Sequence, residues 1–427
     1  QHVVWQRFAT LVERPSIVDQ LVDQHEQLPV RLLRQRRVCA AEGVDDVVRP
    51  APEVVASLSG DTEQYGDHDR RKREREESHE VTLAVDTERC RPQRLTLADD
   101  LVVVHDGLDV RRYEGLAADT DHDLDGVSVR TLARPDGELL CRFATVNDVH
   151  FGEVEAGRID DLLEGPIRRA ASGAEPYPEV MNRAAAAEMA AIDPVAVIVK
   201  GDLTADGEQA EWDAFEACYR HPFGERLHVV RGNHDSYRHQ AEYAGDQRIE
   251  LAGVIVALLD PAIPGATTGT ITTEQFDWLD EVCAGADRPV FVMGHHQQWI
   301  GDGPDPKRSD DYFGLHPDAS DELDELASRR RGVVAYAAGH THRHRVRPMT
   351  QSSVPSIEIG CTKDFPGTWA EYRVYEGGIM QVVHRMSTPE ALAWSESCRG
   401  LYSDFGIDYA TYALGTLADR CINLPLR

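Results

Sequence analysis

Five times in this chain an apolar run of strand length ends in a short motif built from Asp, Asn, His and Gly. FATVN leads into Asp148-Val149-His150, VAVIVK into Gly201-Asp202, and LHVVR into Gly232-Asn233-His234-Asp235. PVFVM leads into Gly294-His295-His296, and VVAYAA into Gly339-His340-Thr341-His342. Strands that alternate with helices build largely parallel sheets, and ligands of such sheets bind at the carboxyl ends of the strands. The five loops are therefore expected to converge on one rim.

The intervening segments carry the helical pattern this needs. Asn182–Ile192 is alanine-rich, and Gly207–Arg220 places Trp212, Phe215 and Tyr219 on one face. Thr272–Cys283 opens beside a Thr cap, and Asp321–Arg330 opens with acidic residues that suit its dipole. Before the first motif, Leu101–Val104, Leu108–Tyr113, Val127–Leu132 and Leu139–Thr145 read as short strands separated by Asp-Gly turns. After residue 343 the pattern turns to consecutive strands at Arg345–Met349, Ser356–Ile359, Glu371–Tyr375 and Ile379–Arg385. The expected fold class is an α/β sandwich with two sheets. Its expected limits are residues 141–387, with a β-rich lead-in over 99–140 and a helical cap over 388–427. Residues 1–98 lack steady periodicity and include the mixed-charge run DHDRRKREREESHE, and the first methionine is Met181. Such runs are solvated, so this stretch is expected to be a poorly folded extension from a misassigned start or reading frame.

The formal charge is -29. That balance argues against a polyanionic partner such as a nucleic-acid polymer, which needs clustered Lys and Arg. It also means that a phosphate-handling site must import positive charge, and metal ions are the natural source. No apolar run approaches the ~18 residues a membrane helix needs, so no membrane partner is expected. The eight cysteines are widely spaced with no C-x-x-C pair, which suits buried thiols in a reducing compartment. The stretch QHVVWQRFATLVERPS has no apolar core of a secretory signal. A cytoplasmic location is the expectation.

Residues i and i+2 of an extended segment point the same way. Asp148 with His150, and His340 with His342, are thus expected to grip one ion or a neighbouring pair. Gly201, Gly232, Gly294 and Gly339 precede these residues, and glycine tolerates positive φ and close backbone approach. Carboxylate, imidazole and one amide carbonyl, with no thiolate, suit Mn, Fe, Zn or Co rather than a Cys-bound structural zinc. Asp202 stands alone in its motif and is the natural bridge between two ions ~3.5–4 Å apart.

In this order the motifs resemble those of the calcineurin-like metallophosphoesterases, over about residues 141–385. The resemblance implies a four-layer α/β/β/α sandwich of two mixed sheets with a dimetal centre at the strand rim. It implies that Asp148, His150 and His342 hold one ion, that Asn233, His295 and His340 hold the other, and that Asp202 bridges them. His234 is implied to contact the phosphate or leaving group, with Asp235 orienting it. The implied reaction is hydrolysis of a small phosphate ester by hydroxide that the two ions activate. A phosphodiester such as a cyclic nucleotide is favoured by analogy. Phosphomonoester or phosphoprotein hydrolysis on the same site is the alternative, and a non-catalytic scaffold is a third reading that the intact set of seven ligands argues against. Asn147, where Ser or Gly is commoner, and Gln297-Gln298-Trp299, where a proline often follows, depart from the family pattern.

Other residues weigh less. His296 is a candidate to orient His295. His344 and Arg345 are expected to end a solvated strand. The acidic stretch from Asp119 to Gly126 has only part of a calcium-loop spacing and reads as a solvated turn. The long loop Gly301–Asp318 is a candidate lid, with Lys307, Arg308, Tyr312 and Phe313 facing substrate.

Overall fold

The structure, a computed structural model, describes residues 95–158, 165–301 and 308–426. The expectation for residues 1–98 falls almost wholly outside that range. The described part begins with a buried strand, β1 (Leu95–Leu97), which pairs antiparallel with β2 (Leu101–Asp106). β2 pairs in turn with β3 (Asp109–Glu114) across a turn at Gly107. The acidic stretch expected to be a turn is instead a hairpin of β4 (Asp121–Leu124) and β5 (Val127–Arg130). Its Asp125-Gly126 corner has positive φ at both residues, the geometry tight hairpins favour.

Two six-stranded mixed sheets follow. The first holds β6 (Leu139–Val146), β7 (Val197–Lys200), β8 (Leu227–Val230), β15 (Thr368–Tyr375), β16 (Gly378–Arg385) and β17 (Cys421–Pro425). The second holds β9 (Gln247–Leu251), β10 (Val254–Leu258), β11 (Val290–Met293), β12 (Val333–Ala338), β13 (Arg345–Pro348) and β14 (Pro355–Glu358). β6, β7 and β8 run parallel, as do β10, β11, β12 and β14.

The sheets face each other across one apolar core. Alternation along β15 sends Ala370, Tyr372 and Val374 inward, where Tyr372 stacks on Phe143 at 4.8 Å and meets Phe291 edge-on at 5.2 Å. On the outer face of the first sheet lie α1 (Tyr177–Ala191) and α2 (Gln209–Phe223), packing Met181, Met189, Phe215 and Tyr219 onto Ala144, Val197 and Val199. On the outer face of the second lie α3 (Thr273–Ala284) and α4 (Pro317–Arg329), packing Phe276, Leu279, Leu323 and Leu326 onto Ile255, Val290 and Val292. This is the four-layer α/β/β/α arrangement. Thr272 caps α3 through a capping box with Gln275. α4 starts four residues earlier than expected because Pro317 occupies its first turn, where proline costs no hydrogen bond.

The helices leave the β15–β16 half of the first sheet uncovered, and the β1–β3 sheet covers it, burying Leu97, Val102 and Val104 against Tyr375, Met380 and Val382. Outward-facing charges on β15 are buried there as ion pairs, Arg373 with Asp99 and Glu371, and Glu371 with His384. The expected helical cap is only partly helical. α5 (Pro389–Ser397), α6 (Tyr409–Leu414) and α7 (Leu417–Arg420) lead into β17, which extends the first sheet beyond β16. Six cysteines among the described residues are free thiols. Among the described residues, no helix is long and apolar enough to cross a membrane.

His105 on β2 is buried, with Nε2 3.3 Å from Ser387 Oγ. Burial, with Arg385 nearby, lowers its pKa to about 3. The unfolded chain therefore binds a proton that the fold refuses between pH ~6.5 and 3, so stability falls as pH falls through that window. His105→Gln keeps a hydrogen-bonding group but does not titrate. Urea denaturation at pH 7 and pH 5 should show the variant losing ~2 kcal/mol less than the wild type over that interval. Equal losses would show that His105 is charged in the fold.

Candidate metal centre

The parallel strands place their carboxyl ends on one edge, and all five motifs lie there. β6, β7 and β8 deliver Asp148 and His150, Asp202, and Asn233 with His234. β11 and β12 deliver His295, and His340 with His342. Backbone bonds lock the loops together: Val149 and His150 N–H groups both donate to Asp202 O at 2.9 Å, and Gly339 N–H donates to His295 O at 2.9 Å.

The ligand residues do not point together because the chain is extended, as expected from their spacing. Asp148, His150, Asp202, His340 and His342 all have left-handed backbone, with φ of 53°, 47°, 51°, 69° and 54°. Non-glycine residues adopt this region at a cost and cluster in it at functional sites. Of the four glycines ahead of the motifs, only Gly201 has positive φ. At Gly232 the requirement is space, since a Cβ there would lie 2.2 Å from Asp202 Oδ1.

Two groups of ligand atoms meet at Asp202. In the first, Asp148 Oδ1 lies 3.5 Å from His342 Nε2, and His150 Nε2 lies 3.5 Å from Asp202 Oδ2. Both ring nitrogens of His150 are buried without a hydrogen-bond partner. In the second, His295 Nε2 lies 3.1 Å from Asn233 Oδ1, 3.2 Å from His340 Nδ1 and 3.2 Å from Asp202 Oδ2. Each of these residues is oriented from behind. His295 Nδ1 bonds Lys200 O at 2.8 Å, and His340 Nε2 bonds Phe313 O at 2.7 Å. A carbonyl only accepts, so those nitrogens carry the protons and the inner ones present lone pairs. Asn233 Nδ2 donates to Tyr237 Oη at 2.6 Å, which turns Asn233 Oδ1 inward.

Lone pairs that face one another at such distances need positive charge among them, and the donor set of imidazole, carboxylate and amide oxygen fits a first-row transition metal. Triads drawn from these residues have ligand atoms all within 4.8 Å of one another. The fields in the pocket agree. Burial opposes ionisation of Asp202, yet His295 and His234 hold it well below the usual carboxylate range. Burial likewise opposes charge on His295, but Asp202 lifts it to about 9. Protons and metal ions compete for the same lone pairs.

His234 sits at the mouth of the pocket. Its Nδ1–H donates to Ala205 O at 2.8 Å, and its ring lies 4.5 Å from that of His150. Asp235 does not orient it. The Asp235 carboxylate is buried and accepts from Leu203 N, Thr204 N, Thr204 Oγ1 and Gly232 N, so it clamps the loops after β7 and β8 together. Burial and the neighbouring Asp202 raise its pKa to about 6. His296 bonds Thr267 O at 3.1 Å rather than His295. His344 is buried, not solvated, and accepts from Gly360 N at 3.1 Å. Of the candidate lid residues, Phe313 touches the centre through its carbonyl and Tyr312 bonds Gln297, whereas Arg308 pairs with Asp318 and Asp321. Lys307 lies outside the described residues.

Sequence reasoning missed Lys200, Tyr237 and the carbonyls of Ala205 and Phe313, and saw Asn147 only as a departure. The one legible signal was Lys200, a charge ending an apolar strand.

The chain is similar, at 25% identity over 157 residues, to a probable cyclic nucleotide phosphodiesterase of Synechococcus. That match takes in 35% of this chain and 58% of the relative, so the chain spans less than two thirds of that protein's length. Among solved structures it is similar to a dimetal phosphatase from Danio rerio, at 15% identity and a TM-score of 0.43, covering 58% of this chain and 97% of that one. It is also similar to a purple acid phosphatase from yellow lupin (Lupinus luteus) seeds, at 13% identity and a TM-score of 0.40, covering 66% and 60%. Residues 141–344 match the family model for calcineurin-like phosphoesterases.

Proposed function

We propose that this domain hydrolyses phosphate esters at a two-ion centre held by Asp148, His150, Asp202, Asn233, His295, His340 and His342, and that its substrate is a small phosphodiester of the cyclic-nucleotide kind. The observation that carries this reading is the position of Asp202, whose Oδ2 faces His150 Nε2 at 3.5 Å and His295 Nε2 at 3.2 Å, one from each group. The diester preference draws on the similarity to the Synechococcus probable cyclic nucleotide phosphodiesterase.

Ions bound there supply positive charge against a phosphoryl group and make water a better nucleophile near neutral pH. The chain's own residues do the rest. Asp202 joins the two groups, and its Oδ1, which accepts the His234 N–H at 3.0 Å, ties the bridging residue to the loop after β8. His234 keeps Nε2 directed away from Ala205, where it is placed to hydrogen-bond a phosphoryl or leaving-group oxygen. If protonated at Nε2, it delivers that proton to the departing alkoxide. The neighbouring rings of His150 and Tyr237 restrict its swing.

Parallel assays with bis-p-nitrophenyl phosphate and p-nitrophenyl phosphate, after loading with Mn²⁺, Fe²⁺ or Zn²⁺, test the reaction and its class. Faster turnover of the diester supports the proposal; monoester preference moves the substrate to phosphomonoesters, and no turnover with any ion refutes catalysis. Asp202→Asn should lower metal content from two ions per chain and abolish turnover. Full turnover in that variant would remove Asp202 from the bridging role. His234→Ala should keep both ions but reduce kcat by ~10²–10⁴-fold, the range of a general acid. Loss of metal instead would make His234 a ligand.

A further inference from the structure

Resting on the two-ion reading above, we infer that Lys200 and Asn147 form a positioning relay that aims ligands of both ion sites. Lys200 ends β7, and its side chain is fully buried. Its Nζ donates to Asn147 Oδ1 at 2.6 Å. Asn147 is also fully buried, and its Nδ2 donates to Asp148 Oδ2 and to the carbonyls of Ile359 and Gly360. Asn147 thus holds Asp148 by Oδ2, while Oδ1, which also accepts from His340 N–H at 3.0 Å, lies 3.5 Å from His342 Nε2. The other arm of the relay is the Lys200 backbone carbonyl, which receives the Nδ1–H of His295 at 2.8 Å. One residue therefore reaches Asp148 in the first group through Asn147, and His295 in the second directly.

No ion pair accounts for a lysine in this place. Lysine is almost never fully buried unless paired. Among the described residues no carboxylate lies within ion-pair distance of Lys200 Nζ, and its hydrogen-bond acceptor is a neutral amide. An apolar side chain there would leave Asn147 Oδ1 buried without its donor. What the lysine supplies is reach, since β6 and β7 are adjacent and its side chain spans from one strand end to the residue that carries Asp148. The arrangement also explains Asn147. A serine there is too short to bridge Lys200 and Asp148 at once, and a glycine has no side chain. The departure at 147 and the buried lysine at 200 are two halves of one device.

The test is a double-mutant cycle on the full chain, with Mn²⁺ binding to the ion-free protein read by calorimetry beside kcat, KM and melting temperature. Asn147→Ala and Lys200→Met should each weaken Mn²⁺ binding about 10- to 100-fold, as loss of groups behind metal ligands does. Each should lower kcat while leaving KM within about twofold. The double variant should bind no worse than the weaker single, because the chain of bonds is already broken. Lys200→Gln, which keeps a donor, should recover part of the affinity. Wild-type affinity in Asn147→Ala overturns the relay, and so do losses that multiply in the double variant. Should Lys200→Met fail to fold, the Asn147→Ala isotherm decides alone. A wild-type chain that binds no Mn²⁺ refutes the two-ion reading itself, an outcome separate from any difference between variants.

Discussion

Mutual repulsion among lone pairs governs the rim where both sheets end. Three acceptor atoms surround His295 Nε2 within 3.1–3.2 Å, and neither nitrogen of the buried His150 has a hydrogen bond. The two carboxylates among them, Asp148 and Asp202, are buried. Such a set is unfavourable in a low-dielectric interior unless positive charge sits within it. The chain nevertheless enforces it, with five left-handed backbone conformations and a fixed bond behind His295, His340 and Asn233. Strain of that kind persists where the surroundings over-determine it. Here the surroundings are the two sheets themselves.

Neither sheet contains the centre. One supplies Asp148, His150, Asp202 and Asn233, and the other supplies His295, His340 and His342. The core between them, with Phe143, Tyr372 and Phe291 in contact, is therefore part of the site's geometry. Interiors packed to crystal-like density transmit displacement rather than absorb it. A volume change at these aromatics shifts one half of the ligand set against the other. The His295 Nδ1–Lys200 O bond and the His340 N–H bond to Asp148, each of which joins the two sheets, oppose that shift at the rim.

The parts legible in the sequence were those that repeat a period or occupy a strand end. Apolar runs marked the central strands because both faces of those strands are covered, and the seven ligand candidates followed each in turn. Three things were not legible. The left-handed backbone at Asp148 or His340 arises from tertiary bonds to other loops, so local spacing suggested an extended segment instead. Asp235 looked like a partner of His234 because they are neighbours in sequence, but the turn at His234–Ser236 sends the two side chains apart. β17 was hidden in an apparently helical tail because an edge strand of five residues, two of them exposed, has no strong pattern; only pairing with β16 defines it. His344 illustrates the same limit, since its partners at Gly360 and Thr368 lie far along the chain.

The charge of the chain gives the centre its setting. With a formal -29, the protein's long-range field repels anions. Recognition of a phosphate ester then depends on short-range positive charge, and the arginines on view are largely committed. Arg343 is paired with Glu358, Arg373 with Asp99 and Glu371, and Arg385 with Glu396. Lys363 is held by Glu153. Because these cations serve the fold, positive charge for a substrate falls to the ion-binding pocket.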